Sequence, residues 1–173
     1  VHGVNNDGQG HPPVSRHPQS LAKSPRIALI PAHHPIHSRH LHRPMHPHIL
    51  VIDDSKTVRI TAQKALAPFA CGVDEAANGY NGLFAMEKTL PDLLLLDVSM
   101  PVMDGVEMLT LLKSHPQLKL VPVIMLTAST DHKVLPRITA LGVNALLPKP
   151  FTGAALVDAV QTVVKLRPVR PAV

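Results

Sequence analysis

The sequence predicts an α/β fold, a doubly wound five-stranded parallel sheet. Three observations carry that prediction. Short apolar runs alternate along the chain with stretches whose apolar residues recur at helical spacing. The run Leu93–Leu96 has no polar face, as expected of a strand covered on both sides. Two runs end in acid, at Asp53-Asp54 and at Asp97, and the carboxyl ends of strands form the ligand crevice in open parallel sheets.

The elements follow in order. A first strand is expected over 48–53. Ser55 is a good N-cap for the first helix, where Val58, Ala62, Ala65, Leu66 and Phe69 share a face. A short second strand fits 72–76, and Asn78-Gly79 marks a turn. The second helix is expected near 80–90, with Leu83, Met86 and Leu90 facing inward. The third strand is placed at 92–97 and the third helix at 105–115. The fourth strand, 121–126, leads to Thr127. The fourth helix is expected at 133–141, but Pro136 falls inside it. A helix-interior proline costs about 3 kcal/mol, so this helix must start late or have a distorted first turn. The fifth strand is placed at 143–147, before Lys149. The fifth helix spans 152–166, with Leu156, Val160, Val163 and Val164 on one face. No longer-period repeat is visible.

Residues 1–44 stand outside this pattern. They are rich in His, Pro, Gly and Ser, lack periodicity, and are expected to be a disordered leader that need not be native. His33, His34, His37, His40 and His42 match no defined metal-site spacing. The foldable domain is expected over 45–167, with 168–173 a short tail.

Of 17 Lys+Arg and 12 Asp+Glu, residues 1–44 hold five basic residues and one acid, Asp7, leaving 12 against 11 from Met45 onward. The formal charge of +5 therefore belongs mostly to the leader, and direct nucleic-acid binding is not expected. Cys71 is the sole cysteine, which excludes an intramolecular disulfide and a Cys-based zinc site. No apolar run approaches the roughly 18 residues of a membrane span. Ile27–Ile30 is too short for a signal-peptide core. A soluble cytoplasmic protein without membrane partners is the expectation.

The chemistry lies in the acids. On adjacent strands, Asp53, Asp54 and Asp97 would meet at one rim. Like charges about 4 Å apart repel by roughly 4 kcal/mol per pair at an effective dielectric near 20. Such a cluster must protonate or bind a cation, and all-oxygen ligands suit Mg²⁺. Thr127 and Lys149 would bring a hydroxyl and an ammonium to the same rim. The set suits phosphoryl transfer to a carboxylate. Singly, each Asp reads as a turn former or helix cap, Thr127 as a capping hydroxyl and Lys149 as a solvated charge. Their shared rim is what argues otherwise.

Four segments taken in order, "ILVIDDSKTVR", "DLLLLDVSMPVMDG", "PVIMLTA" and "LLPKPF", resemble the receiver domains of bacterial two-component response regulators, single-domain chemotaxis regulators among them. The resemblance covers roughly 46–166. It implies a flavodoxin-like (βα)5 fold with strand order 2-1-3-4-5, which is the family's known arrangement and not a derivation from this sequence. It also implies that Asp97 is the phosphoacceptor. Asp54 would bind Mg²⁺ directly, Asp53 largely through water, and the backbone carbonyl of Ser99 would be a further ligand. Thr127 and Lys149 would bind phosphoryl oxygens, Pro150 would follow a cis peptide bond, and Pro101 and Gly105 would shape the loop after the acceptor. Asp104 would be a turn or N-cap residue.

The implied partners are a histidine kinase or phosphotransfer protein and an unidentified downstream protein, with a monomer or a weak phosphorylation-dependent dimer. Beyond weak self-phosphatase chemistry, no enzyme activity is expected. One departure is Leu146, which occupies a position where the family commonly has an aromatic switch residue; Pro136 is the other. A phosphorylation-independent interaction module is the alternative reading. An Asp-nucleophile phosphatase is a further one, disfavoured because the first-strand acids are adjacent and not spaced as Asp-x-Asp.

Overall fold

The computed structural model describes residues 46–169. The expectations for residues 1–44, for Met45 and for the end of the tail lie outside the described residues. Five strands form one parallel sheet: β1 (His48–Ile52), β2 (Gly72–Ala76), β3 (Leu93–Asp97), β4 (Val123–Thr127) and β5 (Ala145–Pro148), ordered β2-β1-β3-β4-β5. Between and after them run α1 (Lys56–Leu66), α2 (Gly79–Lys88), α3 (Gly105–Ser114), α4 (Leu135–Ala140) and α5 (Gly153–Gln161).

Alternation along the strands separates two cores. Ile49, Val51, Leu93, Leu95, Ile124 and Leu126 pack with Ala62 and Leu66 of α1 and Leu156 and Val160 of α5. The intervening residues, Leu50, Ile52, Leu94 and Leu96, are equally buried, as the predicted two-sided cover requires. On that second side α2 comes very close. A Cβ on Gly82 would collide with the end of the Ile52 side chain, which would have to shift to admit it.

Several expected boundaries are corrected. α5 ends at Gln161, well short of 166, and at its C-cap the Thr162 hydroxyl bonds back to the Ala159 carbonyl at 2.6 Å. α2 ends at Lys88, with Thr89 extended, so Leu90 falls outside the helix and is 41% exposed rather than inward. Ser55 stands at the N-cap of α1 but makes no side-chain cap; its N–H instead donates to Asp53 Oδ1 at 2.8 Å. The fourth helix starts late. A 3₁₀ segment, Ser129–Lys133, comes first, and Pro136 then lies in the first turn of α4, where its missing N–H has no partner to lose. β1 stops at Ile52, β3 begins at Leu93, β4 begins at Val123, and β5 begins at Ala145. Val169, assigned by sequence to the tail, bonds to the domain next to Arg167. Val169 N–H donates to Pro68 O at 2.9 Å, and Ala70 N–H to Arg167 O at 2.8 Å.

Candidate functional site

The sheet brings the predicted residues together. β1 and β3 are neighbours, so Asp53, just past β1, and Asp97, the last residue of β3, meet at the carboxyl rim. Carboxylate oxygens of Asp53, Asp54 and Asp97 all lie within 4.8 Å of one another. Asp53 and Asp97 are buried, at 0% and 4% exposure, while Asp54 faces solvent. Lys149 reaches across from the loop after β5. Its Nζ lies 2.6 Å from Asp53 Oδ2 and 2.6 Å from Asp97 Oδ1. Thr127, also buried, ends β4 beside Asp97, and its carbonyl accepts the Lys149 N–H at 2.7 Å.

The backbone around these groups is shaped for the purpose. The Lys149–Pro150 peptide is cis, as the resemblance implied. After Asp97 the loop doubles back: Gly105 N–H donates to Val98 O at 2.9 Å, and a Cβ on Gly105 would strike the Asp97 carbonyl. Asp104 caps α3 through a reciprocal box with Glu107. In the same loop Met103 N–H bonds Pro101 O at 2.9 Å around Val102, whose φ is +73. Positive φ is strained for a β-branched residue. Ser99 is exposed in this loop.

Crowding shows in the electrostatics. Burial raises the Asp97 carboxyl above its ordinary range; its hydrogen bond with Lys149 opposes this, while the charges of Asp53 and Asp54 add to it. For Lys149, burial pulls downward, but hydrogen bonds to Asp53 and Asp97 outweigh it and hold the ammonium above its usual value. Three carboxylates against one ammonium leave two uncompensated negative charges, which fits a divalent cation on oxygen ligands.

Two residues escaped sequence reasoning. Arg59 Nη1 donates to the carbonyls of Asp53 (2.7 Å) and Asp54 (3.2 Å), while its Nε faces Glu75 at 3.4 Å. It thereby ties the acidic loop to α1 and β2. Its spacing from Asp53, within the first turn and a half of helix, was the available signal. Asp131 is buried and accepts hydrogen bonds from Ser99 and Ala128. An acid three residues after Ala128 at a helical start was the clue there. Of the two departures, Leu146 lies on the edge strand β5 and is 38% exposed.

Comparison with known proteins agrees with this architecture. The response regulator receiver domain family matches residues 49–161. Protein PilG of Pseudomonas aeruginosa is 34% identical over 113 residues, covering 65% of this chain and 84% of PilG. The sensor histidine kinase CheAY of Helicobacter pylori is 32% identical over 120 residues, covering 68% of this chain but only 15% of the kinase. The solved structure of the chemotaxis response regulator CheY4 of Vibrio cholerae superposes with a TM-score of 0.64 at 31% identity. That superposition covers 69% of this chain and 99% of CheY4. With the pattern matched from the first strand to the last helix, the chain belongs to the response regulator receiver domains of two-component systems.

Proposed function

We propose that this domain accepts a phosphoryl group on Asp97 from a histidine kinase or phosphotransfer protein, with Mg²⁺, and signals through protein contacts. One observation carries the reading: three carboxylates share a rim on which Lys149 Nζ lies 2.6 Å from both Asp53 and Asp97. Similarity to a segment of a sensor histidine kinase supports a donor of that class.

In the proposed step an Asp97 carboxylate oxygen forms a bond to phosphorus. The P–N bond to the donor imidazole breaks, and its electron pair stays on the imidazole nitrogen. Asp97 must be ionised to attack, although burial favours its neutral form. Lys149 keeps it ionised and then offsets charge on the phosphoryl oxygens. The Thr127 hydroxyl donates to one of those oxygens. Asp53, Asp54, Asp97 and the Ser99 carbonyl would hold Mg²⁺, which supplies charge neutralisation at the phosphoryl group. Hydrolysis of the acyl phosphate returns Asp97, so the domain acts as a phosphoacceptor rather than a turnover enzyme.

Incubation with acetyl phosphate and Mg²⁺ should add one phosphate by intact mass. The addition should vanish with EDTA and in Asp97→Asn. Equal labelling of Asp97→Asn overturns the assignment.

A further inference from the structure

We infer that Asp131 is a positioning residue for the cation site, clamping the loop after β3 to the segment after β4 and so fixing the Ser99 peptide. The inference rests on the reading of the carboxylate rim as a divalent-cation site. Asp131 Oδ1 accepts the Ser99 hydroxyl at 3.1 Å, and Oδ2 accepts the Ala128 N–H at 2.6 Å. Ser99 lies two residues past Asp97, and Ala128 directly follows Thr127. One carboxylate therefore spans the two loops that carry the acceptor and the predicted phosphoryl-binding hydroxyl.

The burial of Asp131 is informative. Its exposure is 5%, and among the described residues it has no ion-pair partner. A carboxylate taken out of water without a cation is costly unless its oxygens are bonded. Both of its oxygens are bonded, and both donors come from the rim.

The clamp also completes a series. Val98 is pinned twice, its N–H donating to Leu126 O at 3.1 Å and its carbonyl accepting Gly105 N–H at 2.9 Å. The next residue, Ser99, is exposed and is held through its side chain by Asp131. The Ser99 carbonyl is the neutral ligand of the proposed site, so its position depends on this bond. Partners that orient a metal ligand from outside typically change affinity 10–100-fold when removed.

Mn²⁺ binding to the full chain, followed by the paramagnetic signal of the free ion, tests this without phosphorylation. Asp131→Ala should weaken Mn²⁺ binding by about tenfold. Asp131→Asn should stay within about twofold of wild type, because its amide can accept from Ala128 and donate to the Ser99 hydroxyl oxygen. Ser99→Ala, at an exposed position, should weaken binding severalfold even if Asp131→Ala folds poorly. Adding Ser99→Ala to Asp131→Ala should produce little further loss. Wild-type affinity in Ser99→Ala, or an Asp131→Asn as weak as Asp131→Ala, overturns the clamp. Asp54→Ala separates the two claims. If it abolishes binding while Ser99→Ala and Asp131→Ala bind normally, only the clamp fails; if Asp54→Ala itself binds normally, the cation site fails.

Discussion

The two ends of the sheet carry aspartates in opposite circumstances. Toward the amino end, Asp92, just before β3, accepts the His48 N–H at 2.9 Å, and Asp74, in the middle of β2, meets His48 Nε2 at 3.0 Å with its side chain 63% exposed. At the carboxyl end, Asp53 and Asp97 are buried and crowd Asp54 within 4.8 Å, with the Lys149 ammonium between Asp53 and Asp97. The residue type is the same, and both groups flank β1. What differs is solvent and company. An exposed carboxylate beside one partner contributes about 0–1 kcal/mol. Of three carboxylates sharing the Lys149 ammonium, two are buried, so their charge is poorly screened by water. Crowding out of water, rather than position at a strand end, makes a site.

Metal binding should break the symmetry most. Mg²⁺ at a hundredfold excess over its Kd should stabilise the protein by about 2.7 kcal/mol, several degrees in Tm. Asp54→Ala should erase that gain and Asp74→Asn should keep it, as thermal melts with and without EDTA will read. A full Mg²⁺ gain in Asp54→Ala would show that the carboxyl rim is no different from the amino rim.

Charge relief should come next. Burial raises the Asp97 carboxyl above its ordinary 3.8, with Asp53 and Asp54 adding to the effect and Lys149 opposing it. An acid raised on folding contributes stability that is fully present below its unfolded value and is lost as pH climbs through the folded one. The metal-free wild type should therefore lose stability across that window, and Asp97→Asn should not. At pH 7 in EDTA the variant should melt a few degrees higher, and the difference should close toward the acid end. A variant that melts lower at pH 7 would mean that Lys149 outweighs the crowding.

The smallest effect belongs to the amino end. Asp74→Asn should change unfolding free energy by about 0.5 kcal/mol or less in denaturant titrations. A loss of 2 kcal/mol or more, on the order expected when a buried charge loses its partner, would mean that the His48–Asp74 pair is no ordinary surface contact.

The carboxyl rim was legible because apolar runs set where strands end, and strand ends set Asp53, Asp97, Thr127 and Lys149. The strand order came from family resemblance, since five similar runs do not reveal their pairing. Asp131 was hidden for a physical reason. Its partner Ser99 lies 32 residues away, and nothing local links a hydroxyl in one loop to an acid in another. Arg59 was hidden similarly, because its bonds to the Asp53 and Asp54 backbone carbonyls leave no side-chain signature and its charged partner Glu75 lies on another element. The ends of α2 and α5 were misjudged where apolar spacing continued past the last helical turn: Pro91 disfavours helical backbone at Leu90, and the Thr162 hydroxyl bonds back to the Ala159 carbonyl. The late start of α4 was foreseeable from Pro136, but the 3₁₀ segment before it was not.

The crowded rim is proposed to make Asp97 a metal-dependent phosphoacceptor. Borohydride reduction after incubation with acetyl phosphate and Mg²⁺ tests it most directly, because it converts an aspartyl phosphate to homoserine at the residue that carried it. Peptide mapping should find homoserine at position 97 alone, and none when EDTA replaces Mg²⁺. Homoserine at Asp53, Asp54 or Asp74, or at position 97 regardless of metal, would contradict the account.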